Sequence, residues 1–228
     1  MEYSIKEIVR IIGAQANNLQ DSTISILLTD SRRLSFPEQS LFFALKTKTN
    51  DGHNYIQGLY KLRVRNFVVS TFLPEFESMP EANFLVVKDT LKALQKLAAH
   101  HRKRITGSNG KTIVKEFLYQ LLHNEFNIVR SPRSYNSQLG VPLSVWQMSD
   151  KNTLGIFEAG ISQPDEMERL QPIIAPTIGV ITNIGEAHQE NFISSTQKCL
   201  EKLTLFNDCE AIIYDGDDAF IANCIESA

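Results

Sequence analysis

Three things are scarce in this sequence, and each scarcity excludes something. A bilayer span needs an apolar run of about 20 residues, and no such run is present. Met1-Glu2-Tyr3 opens directly into amphipathic sequence, so no signal peptide is expected either. Charge of one sign is also scarce. The 23 Lys and Arg against 26 Asp and Glu leave a net −3, which argues against nucleic acid as a partner. Cysteine is the third. Cys199, Cys209 and Cys224 are odd in number and lack metal-ligand spacing, so they read as reduced thiols of a cytoplasmic protein without membrane insertion. There is no internal repeat and no low-complexity segment.

What is present is one informative stretch, Thr106-Gly107-Ser108-Asn109-Gly110-Lys111-Thr112. It leads into Ile113 to Leu122, whose apolar period predicts a helix. Successive backbone N–H groups at a helix N-terminus favour an anion, because the dipole adds to the exposed donors. Lys111 is placed to reach the outer phosphates of a nucleotide, and the Thr112 hydroxyl to ligate its magnesium. The strict phosphate-loop template wants Gly at 105, where this chain has Ile105, so the match is short by one glycine.

The pattern around that loop is α/β. Helical spacing over residues 3–12 stops at Gly13, and a helix is expected near 55–62. Short apolar runs at 24–28, 41–45, 67–69 and 84–87 read as strands. Asp89-Thr90 caps the next helix, which ends in the basic run His100 to Arg104. The domain boundary is therefore expected just before Asp89, giving residues 1–88 and 89–228. In the second part, helices near 113–122, 139–148, 164 onward, 196–206 and after 218 alternate with strands at 127–129, 153–157, 177–182 and 211–214. Nearly continuous apolar strands between helices predict a mostly parallel sheet covered on both faces, with ligands beyond the strands' carboxyl ends. Glu158, Asn183 and His188 fall at those ends.

Four blocks together carry a resemblance. Thr106 to Thr112, Glu158-Ala159-Gly160, Thr182-Asn183-Ile184-Gly185-Glu186-Ala187-His188, and Asp30-Ser31-Arg32 with Leu41 to Leu45 and Asp51-Gly52-His53 stand in the order found in the ATP-dependent Mur ligases. The chain is similar to that family over nearly its whole length. The resemblance implies a small N-terminal α/β domain for a UDP-sugar nucleotide, followed by a P-loop-type central domain. It implies ATP and Mg2+ as cofactors. Glu-Ala-Gly at 158–160 is most similar to members that add D-alanyl-D-alanine to UDP-N-acetylmuramoyl-tripeptide, through an acyl phosphate, in peptidoglycan synthesis. Donors and cations are needed wherever phosphoryl charge develops.

Residue by residue, the resemblance assigns the loop 106–112 and Asn183 to the nucleotide. Lys111 neutralises the transferring phosphoryl group, and Thr112, Glu158 and His188 hold magnesium. Lys202 matches a lysine carried as a carbamate, which turns a cation into an oxygen ligand of the kind hard cations prefer. Asn136 falls in a nucleotide and substrate loop, though Ser137 stands where a second Asn is common. Ser31, Arg32, Thr47, Asp51 and His53 match the sugar-nucleotide pocket.

Two departures accompany the match. The family's third domain is not in these residues, and the central domain reads as C-terminally incomplete, so this part alone is expected to be inactive; some relatives also carry a fused racemase. In addition, the helix ending at Arg104 runs into Ile105 and Thr106 with no strand between. A phosphate loop needs a strand to deliver it, and a segment of about 5–8 residues is expected to be missing between Arg102 and Ile105. Rival readings are another Mur ligase, the related folylpolyglutamate synthase, disfavoured by the Asp30-Ser31-Arg32 domain, and a nucleotide-binding scaffold without catalysis.

Overall fold

The chain is seen in a computed structural model that describes residues 2–16, 19–103, 112–185 and 188–228. It divides into two compact units, residues 1–97 and 98–228.

The first unit opens with strand β1 (Tyr3–Ser4) and helix α1 (Ile5–Ile12). The periodicity predicts a helix from Tyr3, but Tyr3 pairs with Ile24 of β2 (Thr23–Ile24) and Ser4 caps the helix. The Ser4 hydroxyl accepts the Glu7 N–H at 3.3 Å while Glu7 Oε2 accepts the Ser4 N–H at 2.9 Å, a reciprocal arrangement that fixes the helix start. Gly13 ends it in the left-handed region, at φ 69°.

Strands β3 (Ile26–Leu28) and β4 (Ser40–Phe43) precede helix α2 (Ile56–Lys61), and β5 (Asn66–Val69) and β6 (Asn83–Val86) follow it. All four pair in parallel in the order β3-β4-β5-β6, with Leu27 opposite Leu41, Phe42 opposite Phe67 and Val68 opposite Leu85. Ile56 and Leu59 of α2 join Phe42, Phe67, Phe76 and Phe84 in the core beneath. The Phe76 and Phe84 rings stack with centroids 4.6 Å apart. Because every strand runs the same way, the loops after β3, β4 and β5 emerge on one edge. Asp30 to Arg32, Thr47 to His53 and Ser70 lie in those loops.

Helix α3 (Thr90–Lys103) contains the division between the units. The boundary expected from the sequence falls at the start of this same helix. Two residues of its basic end are withdrawn from solvent. His101 and Arg102 are buried. The Arg102 guanidinium donates from Nε to the Ile174 carbonyl at 2.9 Å and from Nη2 to that of Ala175 at 3.2 Å.

In the second unit come α4 (Thr112–Leu122), β7 (Ile128–Arg130), α5 (Gly140–Val145), β8 (Leu154–Ile156), α6 (Glu166–Ile174), β9 (Ile178–Val180), α7 (Ser195–Leu203), β10 (Ala211–Ile213) and α8 (Ala219–Glu226). Arg102 thus meets the carbonyl end of α6, where a cation complements the dipole. The strands form two parallel pairs, β7 with β8 and β9 with β10. Among the described residues no ladder joins the two pairs. Phe157, Met167, Leu170, Ile173, Val141 and Val145 fill the main core, and Ile181, Cys199, Leu203, Ile221 and Cys224 a second cluster. The segment expected to be missing next to Ile105 falls outside the described residues.

Candidate functional site

The carboxyl ends of β7, β8 and β9 gather the polar residues of the second unit. Ser131, directly after β7, donates its N–H to the Ile156 carbonyl at 3.0 Å, continuing the ladder by one residue. Its hydroxyl then accepts the Glu158 N–H at 3.0 Å. Glu158 is buried, with 4% of its surface exposed. Asn136 Nδ2 donates to Glu158 Oε1 at 2.8 Å. Glu158 Oε2 is buried with no partner among the described residues. A buried carboxylate oxygen without a donor costs free energy comparable to a lost hydrogen bond or more. A hard cation is the ligand such an oxygen suits, so the residue present fits the magnesium that the sequence implies.

Gly160 makes this arrangement possible. Its N–H donates to the Asn136 carbonyl at 2.7 Å, and a Cβ there would lie 3.2 Å from Asn136 Cγ. At Gly140 the constraint is stronger, since a Cβ would sit 2.9 Å from the Tyr135 backbone.

Beside Asn136 lies a polar cavity of about 390 Å³, and Asn136, Asn183, His188 and Lys202 all line it. The structure thus brings four of the expected residues to one place, and Glu158 joins them through Asn136. His188 is held at φ 61° and accepts the Asn191 N–H on its carbonyl. Gln138, Ser162, Glu166 and Lys198 line the same cavity and were not singled out from sequence. Glu166 is already engaged, its Oε2 accepting the N–H groups of Ser162 and Gln163 at 2.5 and 3.1 Å. Lys198 is 2% exposed and donates to the Gly185 carbonyl at 2.7 Å. Its signal in the sequence was available: it lies four residues before Lys202 on α7, hence on the same helix face.

Thr106 to Lys111 lie outside the described residues, and Thr112 is described as the first residue of α4. The direct reading of the nucleotide loop therefore rests on the sequence.

In the first unit the expected pocket residues are internally bonded. Asp30 caps the turn Ser31–Arg33 and takes two further bonds from the Arg32 guanidinium, at 2.9 and 2.8 Å. The Arg32 side-chain bonds, followed by its backbone N–H, pull the Asp30 carboxyl down to about 2. Thr47 Oγ1 accepts the Asn50 N–H at 3.0 Å, closing a turn beside Asp51. His53 is buried, and both ring nitrogens are used. The Ser70 N–H donates to Nε2 at 3.1 Å, which leaves the ring proton on Nδ1, 2.6 Å from Asp51 Oδ1. The His53 backbone N–H and then its ring hold Asp51 below the usual carboxylate range. His53 therefore shapes the loop from within, while Ser31, Arg32, Thr47 and Asp51 stand closer to solvent.

Residues 105–228 match the Mur ligase middle domain, and the chain belongs to the Mur ligase family. It is 30% identical to the UDP-N-acetylmuramoyl-tripeptide–D-alanyl-D-alanine ligase of Bacillus subtilis over 96% of its own residues and 50% of that protein. The enzyme of the same description from Synechocystis is 35% identical over 75% of this chain and 38% of its own length. Among solved structures, MurF from Acinetobacter baumannii matches all of this chain with a TM-score of 0.87 at 25% identity, over 52% of that protein. The MurF ligase from Thermotoga maritima in complex with ADP shares the fold, at a TM-score of 0.76 and 23% identity over 88% of this chain and 48% of its own. This chain spans about half the length of the curated relatives it matches.

Proposed function

We propose that this chain is the sugar-nucleotide-binding and ATP-binding part of a cytoplasmic ATP-dependent amide ligase that adds D-alanyl-D-alanine to UDP-N-acetylmuramoyl-tripeptide. The observation that carries the reading is Glu158: a buried carboxylate at a parallel strand end, oriented by Asn136 and holding one oxygen in reserve. The activity named for the relatives supports the choice of substrates.

In this reading Glu158, His188, Thr112 and Lys202 as its carbamate would hold magnesium, which supplies positive charge opposite developing phosphoryl charge. Lys111 and the N–H groups of 106–112 take the nucleotide phosphates. Asn183 and Asn136 bind and orient the reacting groups in the cavity that both residues line. Orientation matters because holding two reactants together removes most of the entropic part of the barrier. Ser31, Arg32, Thr47 and Asp51 take the uridine nucleotide at the strand ends of the first unit, with His53 bracing the loop. A third domain from a longer polypeptide closes over the acyl phosphate and excludes water, in keeping with the half-length match to the relatives.

Thermal melting with ATP and magnesium tests the reading. A ligand at a hundred times its Kd adds about 2.7 kcal/mol of apparent stability. That gain should vanish in Lys111→Ala and shrink in Glu158→Gln. UDP-N-acetylmuramoyl-tripeptide should bind by titration calorimetry whether or not ATP is present. A chain that binds ATP but ignores the sugar nucleotide would be a scaffold, and the ligase reading would fall.

A further inference from the structure

Lys115 is a buried ammonium that the proposed reaction does not use. It is 0% exposed, on the first turns of α4, four residues after the glycine loop ends at Lys111. An ammonium has three N–H donors and no acceptor. Here two of the donors meet the Ser131 carbonyl at 2.7 Å and the Arg133 carbonyl at 2.6 Å, and Glu116 Oε1 stands 3.3 Å from the same nitrogen as an ion-pair partner. Glu116 is in turn held by Arg130 Nη1 at 2.6 Å, and the Arg130 guanidinium lies 3.6 Å from the Tyr119 ring centroid.

The two carbonyls belong to the loop that carries Asn136. Arg133 sits in the left-handed region at φ 52°, a conformation that costs a non-glycine residue free energy and persists only where neighbours impose it. Lys115 grips the carbonyls on both sides of Pro132. From Ser131 the connection continues through its hydroxyl to the Glu158 N–H at 3.0 Å, and from Asn136 to Glu158 Oε1 at 2.8 Å. One lysine on the helix behind the glycine loop therefore fixes the loop that grips Glu158 from two directions.

We propose that Lys115 is a positioning residue that locks the Ser131–Asn136 loop to helix α4 and thereby sets the carboxylate of Glu158 for a metal-bound nucleotide. This rests on the reading of Glu158 as a metal ligand given above. Lys115 acts on the metal through the loop and touches neither metal nor nucleotide.

The test uses the 228-residue chain with ADP as nucleotide and Mn2+ as metal probe, read by electron paramagnetic resonance for bound Mn2+ and by calorimetry for ADP alone. Lys115→Met keeps the apolar stem and removes the three donors. It should weaken Mn2+ binding to the ADP complex by about tenfold or more, the scale of one lost buried hydrogen bond, and change metal-free ADP affinity by less than about twofold. Ser131→Ala cuts the network at its other end without touching Lys115, and should give the same split with a smaller loss. The double variant should lose less than the product of the single effects, because both act through one connection. Equal loss of Mn2+ and ADP affinity, no loss in either variant, or simple multiplication in the double variant overturns the proposal. A wild-type chain that binds no Mn2+ with ADP overturns the ligase reading itself, an outcome separate from any variant.

Discussion

Asn136 reaches Glu158 with its amide nitrogen at 2.8 Å, and the same nitrogen lies 3.3 Å from where a Cβ at position 160 would stand. The two residues are 22 apart in sequence, on loops after neighbouring parallel strands. Gly160→Ala would set a Cβ 3.3 Å from Asn136 Nδ2, so the amide must yield by a few tenths of an ångström. The variant is expected to fold, with a melting temperature lowered by a few degrees at most. Its magnesium-dependent nucleotide stabilisation should fall, while Gly216→Ala, in open space, leaves both unchanged. Melting with and without ligand separates the two effects.

Asp30 gives a pH prediction with a definite sign. Its carboxyl titrates near 2 in the fold against an ordinary 3.8. A group with a depressed folded value adds stability above its unfolded value and loses it as pH falls through the folded one. The contribution is therefore complete above about pH 4–5 and disappears towards pH 2. It should be small, because Arg32 is exposed and solvent screens the pair. In Arg32→Ala, the Asp30 carboxyl measured by NMR titration should move up towards 3.8.

The thiols should be inert in the folded chain. Burial pushes Cys199 up to about 12 and Cys209 to about 11, and for Cys199 the neighbouring Cys224 adds to the effect. The thiolate is the nucleophile, so little of it exists at pH 8. Iodoacetamide at that pH should label Cys199 and Cys209 only after denaturant is added, as read by mass spectrometry. Rapid labelling of Cys199 in the native chain would show that α7 and α8 do not pack as described.

Lys198 ties α7 to the segment running from Asn183 toward His188. Lys198→Met keeps the stem, removes the donor to the Gly185 carbonyl and relieves the cost of a buried ammonium. Gly185 is exposed and its carbonyl can turn to water, so stability should change by less than about 1 kcal/mol. Hydrogen exchange at 183–185 should nevertheless quicken, and magnesium-dependent nucleotide stabilisation should weaken. Unchanged exchange would remove Lys198 from the loop.

Much of this site was legible because strand ends and loops declare themselves in chain order. The apolar runs before Glu158 and Asn183 place both residues beyond parallel strands, and the cavity gathers Asn183, His188, Asn136 and Lys202 accordingly. What the pattern does not carry is burial of polar side chains. The burial of Lys115 and Lys198 comes from their contacts with carbonyls 16 and 13 residues away in sequence, which no local pattern announces. His53 is the reverse case: a loop histidine reads as available for a ligand, whereas Ser70, 17 residues later, consumes one nitrogen. The basic end of α3 misleads similarly, because Arg102 finds the end of a helix 72 residues ahead. The helix expected from Leu139 to Met148 spans Gly140–Val145, and Trp146 beyond it packs on His101 at 4.5 Å between ring centroids.

The strand order of the first unit bears on how the chain comes off the ribosome. Each of β4 to β6 pairs with the strand made just before it, so within this sheet no strand waits for a distant partner. Pairing successive strands keeps each closure shorter, and so less costly in chain entropy, than pairing strands from distant parts of the chain. The parallel sheet that presents Arg32, Thr47 and Asp51 can therefore assemble during synthesis, strand by strand, while the residues that form the Glu158 site are still untranslated.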